Sequence, residues 1–451
     1  MSYDLIIKNA KALIPENLDL GHRTKFKTES LDVAVKDGKT VAIGSLGSAA
    51  AKQTIDANHL HLLPGIIDSQ VHFREPGLTH KEDLESGTRG ALLGGVTCVF
   101  EMPNTSPSTT TKDAFEQKLD RAKNRCHTHY AFFIGGSPDN YQNLSELERL
   151  PHCSGVKVFM GSSTGTLLVE DDSHLEKILN NTKRRVIFHC EDEYRLKDRK
   201  KLFENSTDPK DHPNWRDAES AFLATQRIIN LAKKTNHPIH VLHVTTAQEM
   251  ALLAQHKNFA TVEVLPQHLT LSAPECYERW GAFAQQNPPI REKFHQDALW
   301  KAITENVVDV IGSDHAPHTF EEKSRPYPQT PSGMTGIQTI LPIMLDHVNS
   351  GRLSLEKLTQ MMSENVRDVF KLKNKGRIQI GMDADFTLVD MKKKVQITNK
   401  WIASKSQWTV FDGKTVTGWP TMTILNGRVC MRDDQIVIPN SGEGVNFELP
   451  Q

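Results

Sequence analysis

Leu63-Pro64-Gly65-Ile66-Ile67-Asp68-Ser69-Gln70-Val71-His72-Phe73-Arg74-Glu75-Pro76-Gly77 is the stretch on which the reading of this chain turns. An apolar run (Ile66, Ile67, Val71) leads into a polar cluster and stops at Pro76-Gly77. That pattern predicts a buried strand whose C-terminal end carries chemistry. Gln70, His72 and Arg74 are two residues apart, so an extended chain points all three to one side. Taken alone, a strand end that simply meets solvent explains the stretch better.

Working outward, further apolar strand candidates lie at 97–102, 130–134, 156–160, 186–190, 239–244, 261–265 and 307–311. With 66–73 they make eight. Helical patterns separate them, for example at 215–234 and 297–303. Eight strands alternating with helices predict an α/β fold, a (β/α)8 TIM-type barrel. Polar residues gather at the strand ends. Gln70, His72 and Arg74 end the first strand and Asn104 follows the second. Lys157 sits in the fourth, and His189 and His243 end the fifth and sixth. His268 follows the seventh, and Asp314-His315-Ala316-Pro317-His318 ends the eighth. In a barrel these ends converge on one mouth.

The two ends of the chain have another texture. Leu5-Ile6-Ile7, Val33-Ala34-Val35 and Val41-Ala42-Ile43 are short β segments, with a hairpin signal at Lys36-Asp37-Gly38-Lys39. Phe386-Thr387-Leu388-Val389, Met422-Thr423-Ile424-Leu425 and Val429-Cys430-Met431 repeat that texture, and Asn426-Gly427 predicts a type I′ turn. A small β-sandwich domain built from 1–62 and 378–451 is expected, flanking a barrel at 63–377.

The chain of 451 residues can bury a sizeable core, and its net charge of −1 gives no field for nucleic acid. Basic runs at 22–27 and 392–394 read as solvated loops. No stretch of eighteen apolar residues occurs, and the N-terminus lacks the basic and apolar regions of a signal peptide. Six scattered cysteines without CxxC spacing read as reduced thiols of a cytoplasmic protein. The pairs His59/His61 and His127/His129 have metal-like spacing but precede their strands, so they read as structural.

The opening stretch resembles the first barrel strand of the cyclic amidohydrolases, and within them the dihydroorotases, whose pattern is Asp-x-His-x-His-x-Arg-Glu-Pro-Gly. Asp68, His72, Arg74, Glu75, Pro76 and Gly77 match it, while Gln70 stands in place of the first histidine. His189-Cys190-Glu191-Asp192, Met102-Pro103-Asn104-Thr105, Asn287-Pro288-Pro289-Ile290-Arg291 and Asp314-His315-Ala316-Pro317-His318 resemble further segments of that family.

The resemblance implies a metal-dependent cyclic amide hydrolase that interconverts N-carbamoyl-L-aspartate and L-dihydroorotate in pyrimidine biosynthesis. It implies His72, Lys157, His189, His243 and Asp314 as metal ligands, with Lys157 carboxylated, and Asp314 as the catalytic acid and base. It implies Arg74, Asn104 and His318 on the substrate carboxylate, and Asn287, Ser332 and Gly333 on the ring. With Gln70 a poor zinc ligand, one Zn2+ is expected rather than two. The expected partner is this small-molecule substrate, with no nucleic acid and no membrane, in a homodimer. Other cyclic amidohydrolases (allantoinase, dihydropyrimidinase) are the nearest alternative. A silent homologue that scaffolds aspartate transcarbamoylase is another, and Gln70 is its best support.

Overall fold

The structure, a computed structural model, describes residues 2–16, 25–58, 60–162 and 167–449. Eight strands pair side by side in chain order, each parallel to the next: Ile66–Val71, Val96–Glu101, His129–Gly135, Cys153–Phe159, Val186–His189, Ile239–Val241, Ala260–Val264 and Val310–Ile311. A parallel bridge from Val71 to His315 joins the last strand's end to the first, where the His72 backbone N–H donates to the His315 carbonyl at 2.8 Å. The eight strands expected from the apolar runs are the eight of this barrel.

The strands are apolar on both faces because both faces are covered. Ile67, Phe100, Phe133, Ile187, Leu242 and Val310 fill the interior and pack with Phe370 and Phe447. Val71, Val99, Val156 and Val158 belong to the larger cluster shared with helix residues such as Ile228, Leu253 and Leu299.

Helix bounds moved where capping overrode hydrophobic pattern. The helix expected from 215 runs Ala218–Thr235, because the Asp217 side chain accepts from the Ser220 N–H and fixes the start. His212–Trp215 is a separate short helix. The helix expected at 297–303 spans Lys293–Thr304.

Both termini build one mixed sheet of nine strands. Tyr3–Pro15 pairs with Phe26–Lys36 on one side and with Ala51–Asp56 and His61–Pro64 on the other. His61–Pro64 then pairs with Phe386–Gln396, which continues through Thr415–Leu425 and Arg428–Arg432. Leu5, Ile7, Val33, Val35, Phe386, Leu388 and Ile424 share one core, so neither end could bury its apolar face alone. Asn426 (φ 47°) and Gly427 (φ 74°) form the left-handed pair of the expected turn.

The basic run at 392–394 is not a loop, and the one at 22–27 leads into a strand. Phe26 and Lys27 begin a strand, residues 22–24 lie outside the described set, and Lys392 to Lys394 lie within Phe386–Gln396 beside a register break. All six cysteines are free and buried. Among the described residues, no helix is long and apolar enough to cross a membrane.

Candidate active site

At the C-terminal ends of the barrel strands lies a small cavity. His72, Arg74, Asn104, Lys157, His189, His243, Asn287, Asp314, Ser332 and Gly333 line it, together with Gln70. His318 stands one layer back, behind Arg74. Its Nε2 lies 2.9 Å from the Ser332 carbonyl and 3.4 Å from an Arg74 nitrogen, and its Nδ1 lies 3.0 Å from Lys81 Nζ. Phe159 and Ala316 also line the cavity, and neither stands out as a site residue in the sequence. His268 turns away, to the Pro288 carbonyl and Gln286.

Backbone turns aim these side chains. Arg74 (φ 63°), His243 (φ 36°) and Asp314 (φ 44°) occupy the left-handed region that non-glycine residues avoid. Such strain gathers at functional sites, where the surrounding structure holds it in place. Gly333 (φ 143°) is required where it stands, since a Cβ there would lie 2.3 Å from the Ala316 carbonyl. The strand period alone does not place Arg74, because the first strand ends at Val71.

The donors fall into two pairs. His72 Nδ1 faces Asn104 Oδ1 at 2.7 Å, which puts the ring proton on Nδ1. Nε2 then presents its lone pair to Asp314 Oδ1 at 3.1 Å. His189 Nε2 faces Glu191 at 2.8 Å, which leaves Nδ1 toward His243 Nε2 at 3.0 Å. Arg216 pairs with the same Glu191 and keeps it ionised, holding its carboxyl below the usual range against the cost of burial. Lone pairs facing one another at this distance are unfavourable unless a proton or a cation is shared. Nitrogens held about 2.0–2.1 Å from one zinc lie roughly 3 Å apart.

Burial lowers the proton affinity of His72 and His189 and brings His243 well below its usual value. Neutral imidazole is the form that binds a metal. Lys157 Nζ, Gln70 Oε1 and His243 Nδ1 are buried without a hydrogen-bond partner among the described residues. Desolvation pushes the Lys157 amine down to about 7. Among the described residues no three His, Cys, Asp or Glu side chains converge as a ready metal cage. Two pairs with an unpartnered amine beside them fit a metal if Lys157 contributes a ligand atom.

Glu263 is a further residue that spacing does not reveal. It is fully buried, accepts the His243 backbone N–H at 3.3 Å and lies 3.3 Å from Ser69 Oγ. Burial pushes its carboxyl up to about 8. Of the metal-like decoys, His61 lies in the terminal sheet, His127 meets Glu85 at 3.0 Å, and His129 meets Asp385 at 3.2 Å. His59 lies outside the described residues.

The amidohydrolase family model matches residues 61–430. The dihydroorotase of Methanothermobacter thermautotrophicus is 32% identical, over 91% of this chain and 93% of that protein. The dihydroorotase of Bacillus cereus is 30% identical, over 91% and 96%. Among solved structures, the L-hydantoinase (dihydropyrimidinase) of Arthrobacter aurescens superposes with a TM-score of 0.92 at 28% identity, covering 98% of this chain and 99% of that one.

Proposed function

This chain belongs to the amidohydrolase family, and within it we propose that the protein is a dihydroorotase, interconverting N-carbamoyl-L-aspartate and L-dihydroorotate. One observation carries the choice of substrate. Arg74 is buried in the cavity wall at 1% exposure, and among the described residues no carboxylate lies within ion-pairing distance of it. A buried guanidinium without a counter-ion is costly. A substrate with a free carboxylate supplies the counter-ion, and a neutral hydantoin does not.

His189, His243, His72 and Asp314 would hold the metal, with a carboxylated Lys157 supplying an oxygen. A zinc ion held there would supply a Lewis acid for the scissile carbonyl and would lower the proton affinity of an attacking water. Asp314 accepts the proton of that water and passes it to the departing amide nitrogen, so the carboxylate ends the step as it began. In the cyclisation direction the same proton path runs backwards. Arg74 and Asn104 orient the carboxylate, and His318 acts through Arg74 from behind. His212 Nε2 lies 3.0 Å from Asn287 Oδ1 and turns that amide, leaving its N–H donors for a ring carbonyl. Holding both ends of the open-chain substrate makes ring closure a positioned intramolecular reaction.

The structural likeness to a hydantoinase supports the second reading, a hydrolase of neutral cyclic amides. Metal-replete protein assayed on L-dihydroorotate, allantoin and dihydrouracil separates the two. Turnover of dihydroorotate above the others is expected. Preference for either neutral ring would overturn the assignment, and no turnover of any of the three would favour a silent scaffold.

A further inference from the structure

A second cavity, of about 270 Å3, opens at the opposite end of the barrel. Its wall includes Ser154 at the start of the fourth strand and Lys183, Arg184 and Arg185 just before the fifth. These strands carry Lys157 and His189 at their other ends, so the two cavities are separate.

Charge in this wall is unbalanced. Lys183, Arg184, Arg185 and Lys371 line it with one carboxylate among the described residues, Glu448. Arg184 is 7% exposed, yet among the described residues neither Arg184 nor Arg185 forms an ion pair. Arg184 donates to the carbonyls of Glu148, Cys153 and Ser154, and Arg185 to those of Ile239 and Phe259. Their hydrogen bonds are met, and the Arg184 guanidinium lies over the Phe447 ring at 4.8 Å, but among the described residues no carboxylate pairs with either charge. The nearest carboxylates are committed elsewhere. Glu148 accepts the backbone N–H groups of Lys183 and Arg184, and Asp309 pairs with Lys257. Desolvation accordingly pulls Arg185 down to about 10. Ser154 Oγ, in a residue only 2% exposed, has no hydrogen-bond partner among the described residues. Buried cations and an orphan donor on one wall call for an anion. Phe370 on the same wall offers an apolar surface beside them.

We propose that this cavity binds a small organic oxyanion, with its anionic head toward Ser154 and the arginines and its apolar body against Phe370. The site does not depend on the catalytic reading above.

Isothermal titration of the whole protein with inorganic phosphate and with phenyl phosphate tests this. Phenyl phosphate should saturate at one site per chain and bind more tightly than inorganic phosphate. Ser154→Ala and Lys371→Glu should each weaken it about tenfold. Ser154→Ala should leave the melting temperature unchanged, because the hydroxyl has no partner to lose. Arg74→Gln, which alters the catalytic cavity, should leave phenyl phosphate binding as it was. Absence of saturable binding at millimolar concentrations of both probes would overturn the proposal. So would binding that Arg74→Gln abolishes while Ser154→Ala and Lys371→Glu leave it intact, since the ion would then occupy the catalytic cavity.

Discussion

Lys118 and Lys157 are both buried in this barrel, and they are buried differently. Lys118, at 0% exposure, forms an ion pair with Glu101 and donates to the Met102 carbonyl at 3.0 Å. Lys157, at 1% exposure, stacks its amine 4.3 Å from the centre of the Phe159 ring and has no hydrogen-bond partner among the described residues. Burial lowers the proton affinity of both, but only Lys118 has a contacting carboxylate to oppose it. A lysine whose charge is answered from within the fold serves the fold. One left unanswered beside a cavity is a cost to stability that only function explains.

The sharpest way to break that comparison is to remove each amine in turn. Lys118→Met leaves Glu101 buried and alone, and a loss of about 3–5 kcal/mol is expected. Lys157→Met removes a group with no partner, so stability should hold or rise by about 1 kcal/mol. Activity in that variant should fall by at least about 10²-fold, through the lost metal ligand. Thermal unfolding of both variants beside the parent reads the first two effects, and a dihydroorotate assay reads the third. Equal destabilisation by the two substitutions would show that Lys157 is a structural lysine like Lys118.

Asp314→Asn is the next largest expected effect. It keeps the shape and the contact with Gln70 while removing the proton acceptor, so turnover should drop at least about 10²-fold in a folded protein. Circular dichroism and a steady-state assay together check it. Near-parent activity in folded Asp314→Asn would move the acid–base role to another group, and Glu263 would be the first to test.

Lys157 is legible in the sequence because one charge inside an apolar run is conspicuous. Phe159, two residues on, shares its face by the strand period, but one more apolar residue in an apolar run carries no mark of a site. Glu263 sends the same signal as Lys157 from the seventh strand, but its contacts Ser69 and His243 lie 194 and 20 residues away. Spacing along the chain cannot say which backbone group a buried carboxylate will satisfy. His318 marks a second limit. Its motif puts it at the mouth, but only the turn after the eighth strand decides that it stands behind Arg74 rather than beside it. The barrel itself was the most legible part, because strands covered on both faces must be continuously apolar. Helix starts were less so, since a cap such as Asp217 overrides a periodic pattern that runs through it.

Gln70 gives the smallest expected effect and the finest test of what an unanswered group means. Its Nε2 donates to Asp314 Oδ1 at 3.1 Å, and its Oε1 is buried without a partner among the described residues. The amide thus spends its donor on holding Asp314 and presents only a carbonyl oxygen, a weak zinc ligand beside imidazole. Gln70→His places a nitrogen on the face already set by His72, adjoining the pair His72–Asp314. Zinc content should then rise from about one per chain towards two. The competing outcome follows from the same hydrogen bond. If Asp314 depends on Gln70 Nε2 for its orientation, the new ring gains a ligand position while the carboxylate loses its support, and turnover falls even as metal content rises. Measuring zinc per chain after dialysis against zinc and then metal-free buffer, beside the turnover of parent and variant, separates the two effects. An unchanged zinc ratio in two folded proteins would mean that the missing imidazole is not what limits the site. The orphaned oxygen of Gln70 would then face the substrate rather than a second metal.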